Sequence, residues 1–78
     1  MDKPEKITNT LKYERKKRRV TQAELATALG VSRQTIVLLE KGNYSPSLFI
    51  ALKASAYFHE PIENLFQIEP IQTKGSEN

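Results

Sequence analysis

At 78 residues and 38 % hydrophobic, with three tyrosines and three phenylalanines, the chain holds apolar surface for one modest core. That excludes a large enzyme with a deep cleft. The absence of cysteine excludes a disulfide staple, a thiolate metal site and a cysteine nucleophile. No apolar run in MDKPEKITNT resembles a signal sequence, and no segment approaches the roughly 20 apolar residues of a membrane span, so a soluble cytoplasmic protein is expected.

The net charge of +3 conceals an uneven distribution. Residues 1–41 hold ten of the twelve Lys and Arg against five acids, whereas residues 42–78 hold two against four. A basic half points to a polyanionic partner, because release of counterions from phosphates favours clustered cations. A solvated charged helix is the other reading of the same asymmetry.

In chain order, residues 1–6 and 71–78 read as flexible polar tails, leaving a domain over 7–70. Gly30, Gly42, Pro46 and Pro61 punctuate it too often for long helices. Residues 10–18 read as a basic helix with Leu11 inward. Thr21-Gln22-Ala23-Glu24 is a capping box, with Val20 and Leu25 as the hydrophobic staple of the helix it opens. That helix turns Leu25, Ala26 and Leu29 inward and stops at Gly30. Ser32 caps the next, which runs to Lys41 before Gly42 with Ile36 and Leu39 as its inward pair.

Further on, Ser45 followed by Pro46 reads as a cap with proline in the first turn. Leu48, Ile50 or Ala51, Leu52, Ser55 and Phe58 then keep a helical period to His59. A last short helix spans Pro61 to Leu65 or Phe66. Phe66, Ile68 and Pro70 alternate with Gln67 and Glu69, and KITN around Ile7 tolerates a strand, so the chain ends are expected to pair as a short antiparallel ribbon. The fold class is all-α, a five-helix bundle with that ribbon.

The window 22–41 places Ala fifth, Gly ninth, Ile fifteenth and Leu eighteenth. A close helix crossing needs the small Ala26, the tight turn needs a positive backbone angle at Gly30, and Ile36 and Leu39 anchor the second helix on the first. This is the helix-turn-helix pattern, with residues 32–41 as the recognition helix. Any compact helical pair needs a similar set of residues, so the outer face carries the functional argument. Geometry sets Arg33 and Val37 on one outer strip and Gln34 and Leu38 on the next, with Lys41 beyond. Arg33 suits guanine and Gln34 adenine, while Thr35 or Leu38 can touch a thymine methyl. Either Val37 and Leu38 meet base methyls or one of them lies half-buried against the helix of residues 10–18. Ser32, Lys41, Asn43 and Tyr44 flank the recognition helix and are candidate phosphate contacts.

Together with the string TQAELATALGVSRQTIVLLEKGNYSPSL, this pattern resembles the Cro/C1-type, or Xre-like, family of small bacterial and phage transcriptional regulators over residues 7–66. The resemblance implies a lambda-repressor-like DNA-binding domain. It also implies a phosphate-facing role for Gln22 and a structural ion pair between Arg15 and Glu40. Glu14 departs from it, standing where Leu or Ile is usual, as does Arg19, which stands where a helix-ending Gly is frequent; Tyr13 is expected to supply the missing apolar contact. Arg18 and Arg19 reach a phosphate only if the end of the first helix faces the duplex.

His59 has no second ligand in spacing, so it reads as a partner for a helix C-terminus rather than a metal ligand. Neither the acids nor Ser32, Ser45, Ser47 and Ser55 find a base in a pocket, so no catalytic residue, metal or cofactor is expected. The expectation is a sequence-specific repressor that binds a palindromic operator as a homodimer through Tyr57, Pro61 and Ile62, with no sensory domain and no small-molecule ligand. Phe58, Leu65 and Phe66 offer apolar surface to the same seam, and if all three are core, Tyr57, Pro61 and Ile62 are the contacts left. A protein-interaction module, such as the antitoxin of a toxin pair, is the alternative function.

Overall fold

The computed structural model describes residues 4–71. Strand β1 (Glu5–Asn9) leads into α1 (Leu11–Lys17), α2 (Gln22–Leu29), α3 (Arg33–Glu40), α4 (Leu48–Phe58), α5 (Ile62–Leu65) and strand β2 (Phe66–Pro70). The fold is therefore five helices with one two-stranded ribbon.

The strands run antiparallel, with Ile7 opposite Ile68 and Asn9 opposite Phe66. A period of two puts Asn9, Ile7, Phe66 and Ile68 on one face, and only its inner end meets the body: Phe66 packs on the core, whereas Ile68 is exposed. Thr10 fastens the ribbon's base by donating its amide to the Leu65 carbonyl at 2.9 Å and its hydroxyl to that of Asn64 at 3.0 Å. The amino-terminal tail expected over 1–6 is shortened, because Glu5 and Lys6 pair with Pro70 and Glu69. Ile71, assigned to the other tail, donates its amide to the Pro4 carbonyl. Residues 1–3 and 72–78 of those tails lie outside the described residues.

Leu11, Leu25, Leu29, Ile36, Leu39, Ala54, Phe58 and Leu65 are buried in one core drawn from every helix, and Val20 and Val31 close its margin. Ala26 is buried in the same core, so a larger side chain there would have to displace its neighbours.

Helix α4 corrects two expectations. Its cap is Ser47, whose hydroxyl accepts the Ile50 amide at 3.2 Å, not Ser45. Ser45-Pro46-Ser47 offers two caps, and the helix begins after the second. Its inner face is Ile50, Ala51, Ala54 and Phe58, whereas Leu48 and Leu52 are 71 % and 53 % exposed. LFIALKASAYF is apolar on every side, so its period does not select a face.

Helix α1 corrects a third. Tyr13 points outward, 64 % exposed, and the inward position is taken by Glu14, only 7 % exposed. Its carboxylate accepts from the Arg18 guanidinium and pairs with Lys17 at 3.4 Å. Arg18 also donates to the Phe58 carbonyl at 2.9 Å and lies 5.0 Å above the Phe58 ring, so it caps α4 and covers the core. That engagement occupies the side chain considered as a phosphate contact. The hydrogen bond from Arg18, against the opposing effect of burial, holds the Glu14 carboxyl below its ordinary pKa. Arg19 takes a φ of 59°, adopting the left-handed conformation in which glycine is usual.

Candidate nucleic-acid interface

The helix pair is assembled by local chemistry. Thr21 accepts the Glu24 amide at 3.0 Å while the Glu24 carboxylate accepts the Thr21 amide at 2.8 Å, closing the capping box. Gly30, at φ 74°, ends α2, and the Val31 amide reaches back to the Ala26 carbonyl at 3.0 Å. Ser32 then accepts the Thr35 amide at 3.1 Å and starts α3 two residues after α2 has stopped. The helix itself is Arg33–Glu40, with Ser32 and Lys41 as its flanking caps.

Three devices hold α3 at a fixed height over the body. Ile36 and Leu39 are fully buried beneath it. Arg15 binds Glu40 in two places, Nε to Oε2 at 2.7 Å and Nη2 to Oε1 at 3.0 Å, and gives Nη1 to the Val20 carbonyl at 3.0 Å. Burial pushes the Glu40 carboxyl up, but the hydrogen bonds from Arg15 and Gln22 and the positive charges of Arg15 and Lys12 outweigh it, leaving the net value lowered. The third device is Asn9. Its amide nitrogen donates to the Leu39 carbonyl at 2.7 Å, and its carbonyl oxygen accepts the Leu11 amide at 3.0 Å. One side chain therefore ties the ribbon to the end of α3 and to the start of α1. Sequence reasoning missed it, and only its position before a helix start hinted at a cap.

Arg33 and Gln34 lie exposed at the start of α3. Thr35 is half-buried and shares a 3.0 Å hydrogen bond with Ser32, so both hydroxyls are engaged in capping. Val37 and Leu38 are both half-buried. Lys41, Asn43 and Tyr44 are exposed just beyond. Gln22, half-buried at the start of α2, donates its amide to Glu40 at 3.2 Å, so the ion pair also orients this side chain. Tyr57 and Pro61 are exposed and Ile62 is half-buried; Phe58 and Leu65 are core, and Phe66 is partly buried against it. His59 ends α4 with a φ of 57°. No group of three metal-ligating side chains occurs among the described residues.

The helix-turn-helix family profile matches residues 11–65, which span α1 to α5. The chain belongs to the Cro/C1-type helix-turn-helix family. The family is one of DNA-binding transcriptional regulators, not enzymes. Among relatives, an uncharacterized HTH-type transcriptional regulator of Methanocaldococcus jannaschii is 51 % identical over 63 residues, covering 81 % of this chain and 96 % of that one. YgzD of Bacillus subtilis, described in the same words, is 39 % identical over the same shares. Relatives thus come from archaea as well as bacteria, a wider range than the expected bacterial or phage setting. In fold, the chain is similar to the transcriptional regulator VanUg, with a TM-score of 0.73 at 24 % identity over 91 % of this chain and 93 % of that one. A Listeria innocua transcriptional regulator gives 0.71 at 20 % identity, over 87 % and 64 %. No helix among the described residues is long and apolar enough to cross a membrane.

Proposed function

We propose that this member of the family is a sequence-specific repressor that reads a palindromic operator as a homodimer, with Arg33 and Gln34 as its principal base-reading side chains. The observation that carries this reading is the first turn of α3: two exposed side chains able to make paired hydrogen bonds, on a helix locked by Ile36, Leu39 and the Arg15–Glu40 pair. Thr35 and Leu38 contribute apolar contact to a thymine methyl from positions that are half-buried. Gln22, Lys41, Asn43 and Tyr44 address phosphates on either side, with Ser32 limited to what its capping hydroxyl leaves free. A single such helix reads only a few base pairs, so a two-fold pair on half-sites about 34 Å, or 10 bp, apart supplies the discrimination.

Selection of bound duplexes from a random library tests this. The expected product is an inverted repeat, and Arg33→Ala and Gln34→Ala should each cost about 1–3 kcal/mol at one base position and relax preference there. Variants that kept the wild-type preference at every position would displace the reading face. A protein retaining no duplex would favour the protein-interaction alternative, an antitoxin-like module.

A further inference from the structure

The cations of α1 are sorted by face. Lys17 and Arg18 meet the Glu14 carboxylate, and Arg15 is spent on Glu40. Lys12 and Lys16, one turn apart, pair with no carboxylate among the described residues, and neither does Arg33. These three line one open cleft of about 490 Å³ between α1 and the starts of α2 and α3, together with Thr21, Gln22 and the engaged Arg15. Both acids near it are committed, Glu40 to Arg15 and Gln22, and Glu24 to the Thr21 amide. Three uncompensated positive charges around one cleft repel one another, an arrangement relieved by a polyanion laid across it.

We propose that Lys12 and Lys16, on the α1 wall of this cleft, seat the phosphodiester backbone of a DNA duplex, extending the contact from the helix pair onto α1 and leaving Arg33 on the facing wall to the bases. The inference rests on the duplex-binding reading above. Four residues of helix rise about 6 Å, and one strand presents a phosphate about every 3.4 Å along the duplex axis, so the two lysines can address different phosphates. Such contacts carry no base preference, and they strengthen binding to every sequence alike.

The test is the salt dependence of binding to a random-sequence duplex, followed by fluorescence anisotropy with the full chain. Each phosphate contact contributes about 0.9 to the slope of log K against log salt. The double variant Lys12→Ala/Lys16→Ala should therefore be shallower than wild type by about 1.8, while Lys12→Arg/Lys16→Arg keeps the wild-type slope. Lys6→Ala is the control, because Lys6 is exposed on β1 opposite Glu69 and does not line the cleft, and it should leave the slope unchanged. Both α1 lysines are exposed, so matching melting curves are expected. A wild-type slope in the alanine double variant, or an equal loss in Lys6→Ala, overturns the phosphate seat alone. Wild-type protein that binds no duplex at any salt overturns the duplex-binding reading and the seat with it.

Discussion

Glu40, the last residue of the helix that carries Arg33, serves two neighbours at once: it neutralises Arg15 and orients Gln22. Replacing it by Gln leaves the Arg15 guanidinium buried without a counter-charge, a loss of about 3–5 kcal/mol where the pair is this enclosed. The pH dependence follows from the same carboxylates. Glu14 and Glu40 both have folded pKa values lowered below the ordinary value. Their contribution is thus complete above the unfolded pKa of about 4.3 and is lost as pH falls through the folded values. Melting temperature recorded from pH 7 down to pH 3 should fall below about pH 4.3, and Glu40→Gln should start lower and fall less steeply. An identical acid limb in that variant would assign the pH dependence elsewhere. The Arg15–Glu40 pairing came from the family resemblance, since spacing alone does not show that residues 25 apart meet. The departures at Glu14 and Arg19 were visible as departures, but their resolution was not. A buried carboxylate satisfied by Arg18, and a non-glycine residue in the left-handed region, both depend on where α4 ends and how the chain leaves α1.

The ends of the helix pair, fixed by neighbouring residues, were legible in full. The Thr21 box, Gly30 and Ser32 each satisfy backbone groups within a few residues, so sequence order equals spatial order there. The ribbon was legible too, through its alternation. Its attachment was not, because the Asn9 amide reaches a carbonyl 30 residues away. The link gives the ribbon a consequence for α3. Leu39 holds its carbonyl against both the Gly42 amide and Asn9, so removing the side chain frees one end of the recognition helix and uncaps α1. Asn9→Ala should cost about 1–3 kcal/mol, two hydrogen bonds of about 0.5–1.5 kcal/mol each, read as a lower urea midpoint at unchanged slope. Amide exchange would show the loss at Leu11 and in the last turn of α3. A full loss of stability with unchanged exchange at those places would mean that Asn9 acts only through the ribbon.

At the scale of the whole molecule, α4 has two apolar faces and the core covers one. Ile50, Ala54 and Phe58 lie in the same core as Ile36 and Leu39, so the opposite face is rigidly related to the recognition helix. Leu48, Leu52 and Ala56 follow one another along that outer face with Phe49 beside them, and Lys53 is its only charge. A helix apolar all round is ordinarily covered on both sides. In the proposed dimer a second copy covers this strip, where Leu48, Phe49 and Leu52 are each more exposed than Tyr57, whose ring rests edge-on against Phe58 at 5.1 Å, and than the half-buried Ile62. A seam through α4 then fixes the separation of the two recognition helices, which two-fold operator binding requires. Sedimentation at micromolar concentration should show a dimer for wild type and a monomer for Leu48→Glu/Leu52→Glu. The variant's melting temperature should fall only as far as dilution lowers that of the wild type, since both side chains already meet solvent in the protomer. Ile62→Glu should stay dimeric; if it alone became monomeric, the seam would run through α5 instead. Wild-type protein that remained a strict monomer with and without DNA, on a selected site lacking inverted symmetry, would leave the strip without a second copy to cover it and would remove the dimer altogether.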